Sequence, residues 1–243
     1  MAIEIFNRQE LKFVVDANQA SYIMQAIAEH VKPDKYNKNG QAYTLYNLYI
    51  DTEDHELIRH SLSKPVYKEK IRIRSYDNFD ACDKVFLEIK KRYKRITNKR
   101  RTTIKYDDAL KFIASGKPPK LQDYMNHQVV SELQAMLNAQ QYVPKTFITY
   151  DRLAFFSKDS GSDLRVTFDT RLIARRFDKT DVNHLLEKDT YIMEIKSSFN
   201  MPLWLVEILS SQDIYKRSFS KYGREYLGHL QTQQTLLTGD IYA

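Results

Sequence analysis

Lys68-Glu69-Lys70-Ile71-Arg72-Ile73-Arg74 sets four cations on alternate positions. In a β-strand residues i and i+2 share a face, so Lys68, Lys70, Arg72 and Arg74 point one way. Tyr67, Ile71 and Ile73 point the other way, with Glu69 among them. Same-face neighbours lie roughly 6.5–7 Å apart, so these cations repel unless they meet a counter-anion or full solvent. Three further stretches share the period. Glu10-Leu11-Lys12, Glu88-Ile89-Lys90 and Glu194-Ile195-Lys196 each aim a carboxylate and an ammonium to one side, with an apolar residue opposite. Charges of both signs, repeated at period two from distant parts of the chain, predict an α+β fold built on a barrel with an ionic interior.

Each stretch alone has a plainer reading. The cationic strand fits a sheet edge whose solvated Lys and Arg block aggregation, and each Glu-x-Lys fits a same-strand ion pair on a wet face. The set is harder to explain that way. Guanidinium forks at 72 and 74 match phosphate oxygens bidentately. Arg92, Arg152 (two residues after Tyr150) and Arg165 (in register with Asp169) extend the cationic set. Enclosed charges are costly without partners, so we read them as lining a binding cavity. Cations in excess over a few carboxylates suit a polyanion held with a divalent metal. Glu194 is a candidate to hold Mg²⁺ or Mn²⁺, hard cations that prefer oxygen ligands.

Composition agrees without choosing among anions. The chain has 243 residues, with 38 Lys+Arg against 31 Asp+Glu and a formal charge of +7. Nucleic acid, an anionic membrane surface and polyphosphate all fit that charge. Nucleic acid is the weaker reading, because Tyr43, Tyr46, Tyr49 and Tyr67 fit strand packing as well as base stacking. Cys82 is the one cysteine, which excludes an intramolecular disulfide and fits a reducing compartment. With no signal-like start and no run near the ~20 apolar residues that span a bilayer, the expected location is cytoplasmic, any membrane partner being a separate chain. The sequence has no Gly-rich phosphate loop, no metal spacing among its six histidines and no nucleophile signature. An enzyme built from these residues works by positioning and electrostatics. Tyr215 to Arg224 reads either as a basic connection before a helix or as a phosphate clamp using Ser220 and Lys221.

Periodicity predicts strands at 8–15, 42–51, 66–76, 84–94, 99–106, 145–156, 163–175 and 189–197. Helices are expected at 18–31, 52–60, 107–116, 122–140, 202–211 and 223–236. Strands lie on both sides of the break at Pro118-Pro119, so residues 1–243 read as a single domain.

Taken in order, E-L-K-F at 10–13, L-Y-I-D-T at 48–52, I-R-I-R-S-Y at 71–76, F-L-E-I-K-K-R at 86–92, Y-D-R at 150–152, L-R-V-T-F-D at 164–169, I-M-E-I-K at 192–196 and F-S-K-Y at 219–222 resemble the VTC domain. That domain is the polyphosphate polymerase domain of the triphosphate tunnel metalloenzyme (CYTH-like) superfamily. The resemblance implies an eight-stranded antiparallel barrel forming a tunnel, with helices outside. It also implies transfer of the ATP γ-phosphoryl group to polyphosphate, with Mn²⁺ or Mg²⁺. Lys12, Arg72, Arg74, Lys90, Arg152 and Arg165 would be phosphate ligands, the four arginines catalytic. Tyr150 would frame the tunnel, Ser220 and Lys221 would contact the chain near one mouth, and Glu194 would hold the metal. Lys70, Arg92 and Lys196 join the substrate-binding set by face, and Glu10 and Glu88 are further metal candidates. The hydrolytic branch opens with Glu-x-Glu-x-Lys, whereas this chain reads Arg8-Gln9-Glu10-Leu11-Lys12, which favours the polymerase branch. Ser218 stands where many polymerase-type members carry Lys or Arg, leaving Lys216 or Arg217 for that contact. A tripolyphosphatase or nucleoside triphosphatase using Glu10 or Glu88 to activate water is the alternative. A non-catalytic polyphosphate-binding module is the third reading.

Overall fold

The computed structural model describes residues 5–6, 9–94, 96–198 and 200–239, with side chains from residue 10 to residue 234. The Arg8 reading therefore lies outside the described residues. One antiparallel sheet organises the chain. Its strands are β1 (Ile5–Phe6), β2 (Gln9–Asp16), β3 (Val31–Pro33), β4 (Tyr43–Asp51), β5 (Tyr67–Ser75), β6 (Lys84–Tyr93), β7 (Ile96–Lys105), β8 (Val143–Ser157), β9 (Arg165–Arg176), β10 (Val182–His184) and β11 (Thr190–Ser197). The helices are α1 (Ala17–Ala26), α2 (Glu56–Leu62), α3 (Tyr106–Ser115), α4 (His127–Ala139), α5 (Leu203–Ser210) and α6 (Lys221–Gly239). The eight long strands are those expected from alternation. The three short ones, β1, β3 and β10, are too brief to show any period.

The ladder runs β1-β7-β6-β5-β4-β8-β9-β11-β2, with β3 on β8 and β10 on β9. This corrects the barrel expectation, since the sheet curls but among the described residues its ladder does not close. The reason lies in the N-terminal segment. Its β1 pairs with β7 at one end of the path and its β2 pairs with β11 at the other, and among the described residues no ladder joins β2 to β7. The curl still brings the far strands together. Lys90 on β6 reaches Glu10 on β2 with Nζ 3.0 Å from Oε2, although five strands separate them along the path.

Strand alternation sends apolar side chains outward to the helices and charged ones inward. Leu48, Ile71, Ile73, Leu87, Ile89 and Ile104 pack beneath α3 and α4. Phe13, Val15, Val166, Phe168, Met193 and Ile195 pack beneath α1 and α5. Inside the curl, an apolar layer of Leu45, Tyr49, Ile148 and Ile192 receives Tyr222 and Tyr226 of α6. Tyr222 stacks on Tyr49 with ring centroids 4.8 Å apart.

Helix α1 is shorter than the predicted 18–31. It starts in a capping box of Asp16 and Gln19, but Val31–Pro33 peels away to pair with Phe155–Ser157, and ladder bonds there replace another helical turn. Helix α3 ends at Gly116, whose φ of +67° suits glycine. Helix α4 starts at His127, not at 122, because Asn126 caps it, its side chain accepting the Val129 N–H. Among the described residues no helix is long and apolar enough to cross a membrane.

Asp51 ties the helices at one end of the curl to the sheet. Fully buried, it accepts the N–H groups of Thr52, Leu57 and Ile58 at 2.8, 2.8 and 3.1 Å and the Tyr222 hydroxyl at 3.0 Å. Removing it strands several buried donors, each worth about 1–3 kcal/mol when left unpaired. Asp51→Ala should therefore lose roughly 3 kcal/mol in urea unfolding; a loss under about 1 kcal/mol would remove Asp51 as the anchor of α2 and α6.

A candidate polyanion site inside the curled sheet

Register places the charged side chains on the inner face in facing sets. Lys70 pairs with Lys90, and Lys90 with Lys99. Arg72 faces Tyr49 on one side and Glu88 on the other, and Arg74 faces Asn47. Lys12 faces Glu194, which faces Thr167, while Glu10 faces Lys196, which faces Arg165. The period-two pattern from distant segments thus converges as expected, on strands β2, β5, β6, β8, β9 and β11.

Four carboxylates knit these cations together. Glu88, 1% exposed, takes Arg72 Nη2 at 2.7 Å and Lys99 Nζ at 2.6 Å. Burial would raise its pKa, but Arg72, Arg74 and Lys99 override that and hold it far below the carboxylate range. Asp169 takes Arg152 bidentately, at 2.6 and 2.7 Å, and Lys221 at 2.7 Å. Its pKa falls to about 2, burial being outweighed by Arg152 and Lys221. Glu10 contacts Lys12 at 3.2 Å and Lys90 at 3.0 Å. Lys196 lies 3.1 Å from Glu194 and 4.0 Å from Glu10.

Glu10 and Glu194 adjoin, Glu10 lying within hydrogen-bonding reach of Glu194. Burial would raise the pKa of each, and for Glu10 its neighbour adds to that. The surrounding lysines win, lowering Glu10 and taking Glu194 well below its ordinary value. Two ionised carboxylates side by side form an oxygen donor set suited to a hard divalent cation. Opposite Glu194, the Thr167 hydroxyl is buried without a protein partner. No cluster of three or more acidic, His or Cys ligands occurs among the described residues. Phosphate oxygens and water would complete the shell, as is usual for Mg²⁺. Glu88 differs from the other two candidates because its carboxylate already serves Arg72 and Lys99.

Among the described residues Lys70 lacks such a partner, and the other inner-face cations are held unevenly. Lys70 Nζ donates to Ser220 Oγ at 2.8 Å. Burial, followed by Lys12, Lys90, Lys68 and Arg72, depresses its pKa to about 7. Lys99 also falls to about 7, chiefly through burial, despite Glu88. Arg74 donates from Nε to Asn47 Oδ1 at 2.9 Å and from Nη2 to the Tyr150 hydroxyl at 3.0 Å. Burial would raise the Tyr150 pKa, yet Arg74, Arg152 and Lys221 bring it down to about 8. Arg165 donates to Asp34 at 3.3 Å, and its Nε is buried without a partner.

The segment leading into α6 lies against this face. Phe219 offers its carbonyl to Lys12 Nζ at 3.0 Å, and the Arg217 N–H donates to the Lys12 carbonyl at 2.8 Å. Ser220 and Lys221 lie against Lys70 and Asp169, whereas Lys216, Arg217 and Ser218 are exposed. Arg92 is exposed at the end of β6 and donates to the Lys94 carbonyl at 3.2 Å. Sequence reading missed Lys99, Asn47 and the pairing of Asp169 with Arg152. Thr97-Lys99-Arg101-Thr103 carries the same polar alternation and would have marked β7 as a wall of the site.

An antiparallel sheet curled around a face of buried cations and adjoining carboxylates defines a protein of the triphosphate tunnel type. The VTC domain family model matches residues 7–228, and the chain belongs to that family. A Bacillus halodurans protein provisionally named an adenylate cyclase shares the fold. It has a TM-score of 0.51 at 13% identity and covers 90% of this chain and 96% of its own. A Vibrio parahaemolyticus protein with the same provisional name has a TM-score of 0.47 at 11% identity, covering 90% and 97%. No curated protein matches the sequence.

A polyanion bound here should return Lys70 towards its ordinary pKa. Binding then takes up protons between pH 7 and 10, and affinity falls as pH rises through that window. Calorimetry of tripolyphosphate binding at pH 8, in buffers of differing ionisation enthalpy, should show roughly one proton more taken up by the native protein than by Lys70→Met. Equal uptake by the two would contradict the placement of Lys70 against the anion.

Proposed function

We propose that this chain is a polyphosphate polymerase that transfers the γ-phosphoryl group of ATP to a polyphosphate chain held inside the curled sheet. The carrying observation is Lys70, half-buried among Lys12, Lys68, Lys90 and Arg72, which has a hydroxyl, Ser220, and not a carboxylate as its acceptor. A single phosphate would leave much of that field unmatched, whereas a chain of phosphates runs along it. Membership of the VTC family supports the same substrate class.

In this reading a terminal oxygen of polyphosphate attacks the γ-phosphorus, and the bond from that phosphorus to the bridging oxygen of ADP breaks. The attacking oxygen is already ionised near neutral pH, so no strong general base is needed. Catalysis is then positioning and charge stabilisation. Arg72 and Arg74, held by Glu88 and Asn47, present oriented guanidiniums to the transferring group. Arg152, fixed by Asp169, and Arg165 do the same from β8 and β9. Lys12, Lys90 and Lys196 hold the phosphates flanking the reaction. Tyr150 braces Arg74, and Ser220 and Lys221 close one side of the path. When bound at Glu10 and Glu194, a divalent cation, Mg²⁺ or Mn²⁺, neutralises charge on the donor phosphates.

A hydrolase needs a carboxylate free to activate water. Glu88 and Glu10 are instead engaged by cations and have depressed pKa values, which favours transfer between phosphates over attack by water.

Incubation with ATP and Mn²⁺ or Mg²⁺, followed by ³¹P NMR, should show an internal-phosphate resonance growing with ADP. Arg74→Ala should lower that rate by roughly 10²–10³-fold with an unchanged circular dichroism spectrum. Orthophosphate without chain growth would replace the polymerase with a hydrolase. Tight polyphosphate binding without turnover would make it a binding module.

A further inference from the structure

The inner face changes character at one end. Tyr43 at the start of β4, Tyr76 just after β5 and Phe86 in β6 lie there, joined by Tyr36 from the loop that precedes β4. Tyr36 and Tyr76 stack with centroids 4.6 Å apart and planes 23° apart. Tyr43 sits 5.6 Å from Tyr36 and 5.9 Å from Tyr76. Phe86 meets Tyr76 edge-on at 6.1 Å, and the Arg101 guanidinium covers Phe86 at 4.5 Å. Tyr36 remains 39% exposed, and Tyr43, Tyr76 and Phe86 are half-buried.

This collar adjoins the phosphate-binding cations. Tyr43 pairs across the ladder with Arg152, and Phe86 with Arg74. Asp34 connects it to Arg165, accepting the Tyr43 hydroxyl at 3.5 Å and Arg165 Nη2 at 3.3 Å. The opposite end of β5 and β6 carries Lys68 and Arg92 on the inner face. Its tyrosines, 67 and 93, occupy the alternate positions that face outward.

We propose that the collar is a stacking site for the base of a nucleoside triphosphate. The proposal rests on the polyphosphate-polymerase reading above and makes the donor a nucleotide that enters from this end. Phosphate chains have no π-face, so rings at the mouth do little for polyphosphate itself. A purine or pyrimidine stacks on tyrosine irrespective of its edge pattern, and a neighbouring guanidinium strengthens such a platform. Spacing agrees as well. Tyr76 and Arg74 are two residues apart on one face, roughly 6.6 Å at ~3.3 Å per residue in a strand, so the phosphates of a nucleotide stacked on the rings would meet Arg74 first and Arg72 beyond it. The tunnel acquires a direction from this asymmetry, with the nucleoside held at the aromatic end and the growing chain leaving past Lys68 and Arg92.

The test compares two ligands on the same full-length protein. Calorimetry with Mg²⁺ measures ATP and tripolyphosphate binding for the native chain, Tyr76→Phe, and Tyr36→Ala combined with Tyr76→Ala. The double variant should bind ATP about tenfold more weakly while its tripolyphosphate affinity stays within about twofold, and Tyr76→Phe should behave as native because it keeps the ring. Unchanged ATP affinity in the double variant overturns the collar, as does an equal loss for both ligands. Failure of the native protein to bind tripolyphosphate defeats the tunnel reading itself, a different result from a collar that fails alone.

Discussion

Curling a sheet so that its charged face turns inward confines like charges at low dielectric, and every other feature of the site follows from how that repulsion is met. Glu10 and Glu88 each bind cations from more than one strand, Asp169 joins Arg152 of β8 to Lys221 of α6, and Glu194 holds Lys196 beside it. They are structural counter-ions first, since a buried cation without a partner is strongly destabilising. Glu10 has the widest reach. It joins β2 to Lys90 on β6, strands that no ladder links among the described residues, so an ion pair helps hold the sheet in its curl. The counter-ions do not match the cations in number, and the deficit is felt at Lys70, whose acceptor is the Ser220 hydroxyl and not a carboxylate. That deficit is what an anionic ligand would fill.

The helices stabilise this arrangement from outside and set one end of it. Outer-face leucines, isoleucines and valines give the sheet its cores, so burial there offsets the electrostatic cost within. Helix α6 does both jobs. Tyr222 ties it to Asp51 and stacks on Tyr49, and the residues just before that anchor, Ser220 and Lys221, are thereby delivered to Lys70 and Asp169. The L-Y-I-D-T stretch therefore serves the site at a distance. Its aspartate touches no inner-face cation, yet it fixes the helix whose first turn does.

Alternation made the long strands and most of the inner face legible, because period two is a local property and a cation in a strand declares its face by parity. Closure and pairing were not legible. Whether β2 meets β7 depends on where a two-residue strand, Ile5–Phe6, pairs, and no periodicity exists in two residues. Asp169 was placed in register with Arg165, yet its partners proved to be Arg152 on β8 and Lys221 from α6, since cross-strand register is a tertiary fact. Lys99 was overlooked because Thr97 and Thr103 dilute its strand's charge. The end of α1 was overestimated because Val31 continues an apolar helical pattern while its backbone finds β8.

The same geometry separates two duties that a cationic cavity has to combine. Arginines locked by Glu88, Asn47 and Asp169 keep a fixed direction, which suits stabilising charge that develops at one point. Lysines at 70 and 99, with pKa values near 7, hold their protons loosely and adapt to whatever lies beside them. In the polymerase reading proposed above, a chain must slip past after each addition, and uniformly rigid contacts would hold it too firmly to move. Fixed guanidiniums at the reacting centre would then stabilise one phosphoryl group, while lysines that give up protons as each phosphate departs would release the rest. In that reading the low lysine pKa values follow from the same crowding of cations that would draw an anion in.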